Sequence, residues 1–254
     1  MARRSTSMRL VVAAAFVALV LALVTSAGGL ASTFYPAGST GFDVSYPQCG
    51  ATLPRGGAFG IVGVTNGLPW SANPCLATEY QWARGASSGA SFYMNTANPG
   101  PISKYWNRPG PRTCADATSY SDVGCAYNYG WNAANDAWTV ANGATSGAAT
   151  GRYWWLDVET VNSWNGTTAA NGEAILGYLE ALRSLGAGGV GIYSTRYQWT
   201  TITGGRQFSS TPNWVAGALN ARDAAQRCSS SFAGGPVWLV QYISRGVDSD
   251  FVCR

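Results

Sequence analysis

Two acids separated by one valine, Asp157 and Glu159, are the residues in this sequence whose types and spacing best fit a chemical role. They follow an aromatic and branched apolar run, residues 153–156, which predicts a buried strand. Side chains alternate between the faces of a strand, so both acids should point to the same side, with Cα atoms roughly 6.6 Å apart. Neighbouring carboxyl groups in a partly desolvated place cannot both ionise cheaply, so one keeps a proton while the other is charged. Acid-catalysed cleavage of a glycosidic bond needs such a pair, and the buried run favours this interpretation over two solvated acids at a strand end.

The segments around this pair predict a β/α framework. Short apolar runs alternate with longer helical or loop segments, and the runs are continuous, as is typical of parallel strands covered on both faces. Strands are predicted at residues 41–45, 59–65, 91–96, 153–159, 189–195, 213–217, 237–243 and 248–252. Helices are predicted at residues 75–86, 131–142 and 168–185, the last ending before Gly186.

Strand–helix alternation over this length favours either a β/α barrel or a doubly wound sheet, in a single domain. The later strands are separated by little chain, which argues against eight regular helices. Residues 97–128 are rich in proline, glycine, asparagine and serine, and we expect them to form a long ordered loop.

Other polar residues are predicted at or near strand ends. Asp43 lies in the first strand, Gln241 follows the apolar start of the seventh, and Asp248 opens the last. In a parallel barrel the chemistry gathers at the C-terminal ends of the strands, so these residues should meet Asp157 and Glu159 at one mouth. For Asp43 taken alone, a carboxylate that binds backbone amides is the simpler interpretation.

The chain has 11 tryptophans and 13 tyrosines, which can either fill a core or stack on sugar rings. On the predicted strands, Tyr193 and Tyr242 fit both roles. Trp164 and the Tyr105-Trp106 pair lie in predicted loops, where we expect them at the rim of a site.

The N-terminus has the pattern of a secretory signal peptide. Three arginines precede an apolar run at residues 10–24, and a small-residue stretch ends near Ala27 or Ala31. We therefore expect a leader at residues 1–31, a lead-in at 32–40 and one domain at 41–254, in a secreted protein with no stable membrane insertion. An uncleaved membrane anchor is the alternative, although the run is shorter than the roughly 20 residues that span a bilayer.

Charge and composition exclude several classes of function. Three of the 16 basic residues and none of the 12 acidic residues lie in the leader, so the net charge falls from +4 to +1 without it. Without the leader the chain is nearly neutral, so it lacks the basic surface that nucleic-acid binding requires. The chain has no histidine, which excludes Ser-His-Asp and Cys-His catalysis. We expect no metal and no cofactor, and we expect a monomer.

Six cysteines follow the leader, an even number that suits structural disulfides in an oxidising compartment. Connectivity cannot be deduced from spacing alone, but pairing in sequence order closes the shortest loops. The pairs would then be Cys49–Cys75, Cys114–Cys125 and Cys228–Cys253.

Five short motifs, in order, resemble those of the family-25 glycoside hydrolases, which are secreted lysozymes. They are Gly41-Phe-Asp-Val-Ser45 with Gln48, Leu156-Asp-Val-Glu159, Gly191-Ile-Tyr-Ser-Thr195, Trp238-Leu-Val-Gln-Tyr242 and Val247-Asp-Ser-Asp-Phe251. The resemblance covers about residues 41–252 and suggests a secreted bacterial member. It implies an irregular TIM-like barrel with eight strands and fewer than eight full helices.

The resemblance also implies roles and a substrate, the N-acetylmuramyl–N-acetylglucosamine bond of peptidoglycan or a related wall glycan. Glu159 would be the general acid, and Asp157 would stabilise the oxazolinium or oxocarbenium species. Asp43 and Asp248 would hold that arrangement and bind sugar, and Tyr193, Gln241 and Tyr242 would line the subsite.

The third strand departs from the family, because Ser91-Phe-Tyr-Met-Asn-Thr96 replaces an aromatic-His-aromatic pattern. The disulfides and residues 97–128 are also additional to the minimal family pattern. With these departures, a different wall polymer remains an alternative substrate. Two other hypotheses remain at this stage, a glycan-binding protein without turnover and a purely structural exported domain.

Overall fold

The computed structural model describes residues 34–254, so the predicted signal peptide lies outside the described residues. Eight strands form one closed barrel in which each pairs with its neighbours in sequence and the last closes on the first. The predicted irregular β/α barrel is therefore confirmed. The strands are β1 Thr40–Val44, β2 Gly60–Gly63, β3 Ala90–Asn95, β4 Tyr153–Asp157, β5 Gly189–Ser194, β6 Asn213–Ala218, β7 Val237–Ser244 and β8 Val247–Val252.

Five α-helices lie in this part of the chain, two more than the sequence pattern predicted. They are α1 Leu76–Ala83, α2 Val123–Thr145, α3 Thr168–Ser184, α4 Arg196–Thr203 and α5 Ala221–Gln226. None of the helices among residues 34–254 has the length and apolar character needed to cross a membrane. Only a short 3₁₀ turn, Tyr46–Gln48, follows β1, so the outer ring of helices is incomplete.

The second helix begins eight residues earlier than expected, inside the segment predicted to be a loop. Asp122 caps it, because its side chain accepts a hydrogen bond from the backbone N–H of Cys125 at 2.7 Å. Glycines obscured this start, since glycine disfavours helix. They are needed where α2 crosses α3: a Cβ on Gly130 would lie 2.1 Å from the Ala174 carbonyl oxygen, and one on Gly177 would lie 2.1 Å from that of Tyr127.

The eighth strand corrects the expectation of a wholly parallel sheet. β1 to β7 pair in parallel, whereas β8 runs antiparallel to both β7 and β1. Only Arg245 and Gly246 separate β7 from β8, and their φ angles are 53° and 76°. Two residues with positive φ form the turn of a tight hairpin, which reverses the chain and leaves no length for a crossover helix.

The barrel wall separates two apolar layers. Outward-facing residues such as Val62, Phe92 and Ile192 pack beneath the helices. Inside the barrel, below the mouth, lies a second cluster of mostly aromatic side chains, which are Tyr35, Phe59, Ile61, Tyr153, Trp155, Trp214, Trp238, Leu239 and Val252.

Tyr35 shows that the predicted lead-in belongs to the barrel core. Its ring is fully buried, its hydroxyl donates to Ser91 Oγ at 2.8 Å, and the same oxygen accepts from Trp155 Nε1 at 2.8 Å. Tyr35 therefore helps to close the base of the barrel.

Three disulfides join Cys49 to Cys75, Cys114 to Cys125 and Cys228 to Cys253. The predicted disulfides are confirmed, and the pairing is the one that closes the shortest loops. Each bridge constrains the unfolded chain, which stabilises the fold by roughly 2–4 kcal/mol per bridge when unstrained.

We predict that Gly191→Ala destabilises the protein. A Cβ at this position would lie 2.2 Å from the Trp155 ring, which is held in place by its bond to Tyr35. Overpacking of this kind should cost about 2 kcal/mol and lower Tm by roughly 4–8 °C in thermal unfolding.

Gly143→Ala is the matched control. This glycine is exposed on α2, and a Cβ there would meet no atom within 4 Å. The control should leave Tm unchanged or raise it slightly, since alanine favours helix. Equal Tm values for the two variants would contradict the packing described for Trp155.

Candidate functional site

The mouth of the barrel contains a hollow of about 190 Å³. Its volume is below the roughly 300–1,000 Å³ of sites that enclose whole drug-sized ligands, so it suits one ring of a longer molecule. Side chains from seven of the eight strands, or from just beyond their ends, line it. They are Asp43, Tyr93, Asp157, Glu159, Tyr193, Trp214, Gln241 and Asp248. Six of the seven predicted catalytic and binding residues thus meet in one place.

Asp157 and Glu159 form a pair with unequal exposure. Asp157 ends β4 and is 5% exposed, while Glu159 lies two residues beyond it and is half-buried. The two carboxyl groups are close enough to affect each other's ionisation, and a hydrogen bond can join them only when one is protonated. Burial, followed by the charge of Glu159, raises the pKa of Asp157 well above its ordinary value.

Asn95 fixes the orientation of Asp157 and was not predicted as a site residue. The two residues are partners in the β3–β4 register, and Asn95 Nδ2 donates to Asp157 Oδ2. Thr65 in turn donates from Oγ1 to Asn95 Oδ1 at 2.8 Å, which leaves the amide nitrogen free to face the acid. The missed signal is the position of Asn95 at the end of a predicted strand, where the chemistry of a barrel gathers.

Glu159 is held from its other side. Its backbone carbonyl accepts from Trp164 Nε1 at 2.9 Å, and Gln198 Nε2 lies 3.4 Å from its Oε1. The carboxyl group therefore keeps one side toward the hollow while the main chain is anchored.

Asp43 stands across the hollow at the end of a hydrogen-bonded relay. Tyr193 donates from its hydroxyl to Gln241 Oε1 at 2.8 Å, and Gln241 Nε2 donates to Asp43 Oδ2 at 2.9 Å. Burial, followed by the charge of Asp248, raises the pKa of Asp43 to about 7. This acid therefore gains or loses its proton near neutral pH.

The antiparallel strand β8 supplies two acids to the site. Asp248 lies near its start at the mouth, and Asp250 lies two residues deeper with no exposed surface. Trp214 Nε1 donates to Asp250 Oδ1 at 2.9 Å. Asp250 was not predicted as a site residue, although its i, i+2 spacing from Asp248 repeats the spacing that identified Asp157 and Glu159.

The structure does not bring every predicted residue to the hollow. Tyr242 follows Gln241 on β7, so it points to the other face and packs in the outer apolar layer. Trp106, expected at a rim, is buried in that layer, and Tyr105 stacks on Trp70 with ring centroids 4.1 Å apart. Trp164 is half-buried and lines a second polar recess beside the mouth.

Metal-ligand clusters in residues 34–254 all include disulfide-bonded cysteines. One combines Cys49 and Cys75 with Glu79, and the other combines Cys114 and Cys125 with Asp122. Their sulfurs are already bonded, so neither cluster offers thiolate ligands. The chemistry that the hollow can perform on its own is proton transfer and charge stabilisation by carboxyl groups.

Comparisons with known proteins agree with the fold. A family model described as lysozyme-like protein 1 matches residues 123–232, which include Asp157 and Glu159. No curated protein matches the sequence. Among solved structures, a muramidase from Trichobolus zukalii is 22% identical with a TM-score of 0.53, the match covering 84% of this chain and 93% of that one.

Two further structures are similar over nearly the same range. A bacterial lysozyme from Streptomyces coelicolor is 18% identical with a TM-score of 0.53, covering 85% of this chain and 92% of that one. A family-25 glycoside hydrolase lysozyme from Aspergillus fumigatus is 16% identical with a TM-score of 0.52, covering 84% and 92%. The predicted resemblance to the family-25 glycoside hydrolases is therefore confirmed at the level of the fold.

The buried acids predict that the protein is more stable in mild acid than at neutral pH. The pKa values of Asp43, Asp157 and Asp250 are raised in the folded state, so the folded chain keeps protons that the unfolded chain loses near pH 4. The resulting stabilisation is complete below about pH 4 and is lost as pH rises toward the folded-state pKa values. The free energy of unfolding should fall by at least about 2 kcal/mol between pH 4 and pH 7, which lowers Tm by roughly 4–8 °C.

Calorimetry over this pH range checks the prediction, with Asp157→Asn as a comparison. That variant removes one such acid and should show a shallower decline. A Tm that rises steadily from pH 4 to pH 7 would contradict the raised pKa values.

Proposed function

We propose that the chain is a lysozyme-like glycoside hydrolase that cleaves the β-1,4 bond between N-acetylmuramic acid and N-acetylglucosamine in peptidoglycan. The single observation that carries the proposal is the Asp157–Glu159 pair, one acid buried and the other half-buried, which together line a hollow of ring size. The names of the similar solved structures, a muramidase and two lysozymes, support the same substrate class.

In this proposal Glu159 delivers the proton. It is the more exposed member of the pair, so it can reach the glycosidic oxygen of a sugar that enters the hollow. A proton held by Asp157 passes to Glu159 and then to the leaving oxygen. The glycosidic C–O bond breaks as the O–H bond forms, and its electron pair stays with the leaving sugar.

Asp157 then carries the negative charge that opposes the developing positive charge on the sugar. The hydrogen bond from Asn95 favours this ionised form of Asp157 and keeps the carboxyl group oriented while the charge develops. An ionised Asp157 can also accept a hydrogen bond from the 2-acetamido group, which would hold that group against the reacting carbon.

Asp43, Asp248, Gln241 and Tyr193 bind and orient the sugar on the opposite side. The relay from Tyr193 through Gln241 to Asp43 fixes the direction of each donor and acceptor, so the site is preorganised before substrate enters. Tyr93, Tyr193 and Trp214 also line the hollow, and aromatic rings can pack against the C–H face of a sugar.

The proposal includes export, because the substrate is outside the cell membrane. Three disulfides suit an oxidising compartment, and the predicted leader at residues 1–31 would direct the chain there. We propose that the exported protein acts as a monomer on wall glycan.

Glu159→Gln tests the proposal. The amide cannot donate the acidic proton, so release of reducing sugar from purified peptidoglycan should fall by ~10²–10⁴-fold. Binding of soluble wall fragments should persist, because glutamine keeps the size and polarity of the side chain.

The matched control is Glu180→Gln on α3. Glu180 accepts a hydrogen bond from the Tyr127 hydroxyl, and a glutamine carbonyl can accept the same bond. This variant should retain wild-type activity. Saturable glycan binding without turnover by the wild type would instead indicate a glycan-binding protein, and equal turnover by wild type and Glu159→Gln would exclude Glu159 as the acid.

A further inference from the structure

Asp250, the acid beneath the hollow, has no part in the mechanism above. It lies beside Asp43, however, which does take part. We propose that Asp250 is a positioning residue, held protonated in the barrel core, which donates a hydrogen bond to the carboxylate of Asp43 and so fixes the charge at the opposite wall of the hollow. Its effect on catalysis rests on the proposed function, whereas its protonation and its bond to Asp43 do not.

The strand register places Asp250 directly below the site. It is the partner of Gly41 on β1 and of Gln241 on β7, so it sits between the two strands that carry Asp43 and its amide donor. Asp43 lies two residues beyond Gly41 and therefore shares its face of β1. Because β8 runs antiparallel, moving along it from Asp248 to Asp250 leads away from solvent.

The bonding of Asp250 leaves room for a proton. Its Oδ1 accepts from Trp214 Nε1 at 2.9 Å, while no N–H or hydroxyl group among the described residues reaches its buried Oδ2. The strand register puts Asp250 beside Asp43, and the nearness of each acid affects the pKa of the other. Two carboxylates can only accept hydrogen bonds, so one can join this pair only when one of the two acids is protonated.

The surroundings assign the proton to Asp250. Asp250 has no exposed surface, whereas Asp43 is 8% exposed, opens to the hollow and accepts a second bond from Gln241 Nε2. Burial, followed by the charge of Asp43, raises the pKa of Asp250 well above its ordinary value. The more buried acid is the costlier one to ionise, so it keeps the proton when Asp43 is charged.

The other groups that face Asp250 do not offer it a compensating positive charge. They are Asp43 from β1, Trp214 from β6, Gln241 from β7, Asp248 from its own strand, and the phenols of Tyr35 and Tyr193. All are acids, neutral donors or phenols. Asp250 thus acts as a neutral donor, and with Gln241 it holds Asp43 between two fixed hydrogen bonds.

Two variants of nearly the same size separate this role from a structural one. Asp250→Asn keeps the acceptor for Trp214 and offers an amide N–H to Asp43, whereas Asp250→Leu offers neither. The measurement is the pKa of Asp43, followed by ¹³C NMR of carboxyl groups in the full-length mature protein. This readout needs no substrate, so it remains decisive even if the protein cleaves no peptidoglycan.

We expect Asp43 to titrate in Asp250→Asn as it does in the wild type. In Asp250→Leu the pKa of Asp43 should rise by about one unit or more, because the hydrogen bond to its charged form is lost. With peptidoglycan as substrate, kcat should fall in Asp250→Leu and recover in Asp250→Asn, and the acidic limb of the pH profile should move with the pKa of Asp43.

Two results would overturn the proposal. A fall of more than about one unit in the pKa of Asp43 in Asp250→Asn would mean that the wild-type residue is charged, since removal of a negative neighbour has that effect. A carboxylate rather than carboxylic-acid ¹³C shift for wild-type Asp250 at pH 7 would do the same. Neither measurement depends on Asp250→Leu, so the proposal stays testable if that variant does not fold.

Discussion

The structure depends on burying more carboxyl groups in one place than can be ionised together. Asp43, Asp157 and Asp250 are all nearly or fully buried, and no arginine or lysine lines the hollow they surround. Burial and their mutual repulsion raise the pKa values of all three acids, so protons rather than counter-ions relieve the repulsion. The ionisation of each acid therefore depends on that of its neighbours.

The barrel makes this arrangement stable in two ways. Aromatic side chains fill its lower half, so the acids near the mouth lie above a packed apolar core. The hairpin at Arg245 and Gly246 then reverses the last strand, which carries Asp248 at the mouth and Asp250 below it. A parallel eighth strand would need a crossover connection and would place these two acids in the opposite order along the barrel axis.

Much of this could be predicted from the sequence, because the signals are local. Continuous apolar runs identified all eight strands, and the spacing of Asp157 and Glu159 indicated a shared face. The reversal of β8 was missed because its turn, Arg245-Gly246, is not among the strongest hairpin dipeptides. The early start of α2 was missed because Gly130 lowers helix propensity, and its value appears only when α3 packs against it.

The site residues also divide into those with a local sequence signal and those without one. Acids at strand ends were found by position, whereas Asn95 and Asp250 act through partners that are distant in sequence, 62 residues away for Asn95 and 36 for the Trp214–Asp250 bond. Tyr242 was assigned to the subsite by its motif, but strand alternation sends it outward once Gln241 faces in. Long-range pairing and the exact face of a strand therefore limit what sequence alone reveals here.

The burial of Tyr35 limits how far the chain can be shortened. If the predicted leader ends at Ala31, only three residues precede Tyr35, whose hydroxyl group bonds beneath Trp155. Loss of four further residues would remove this ring, open the base of the barrel and leave Trp155 Nε1 and Ser91 Oγ without their common partner. The start of the described chain and the acids at the mouth therefore depend on the same core, although they lie at opposite ends of the barrel.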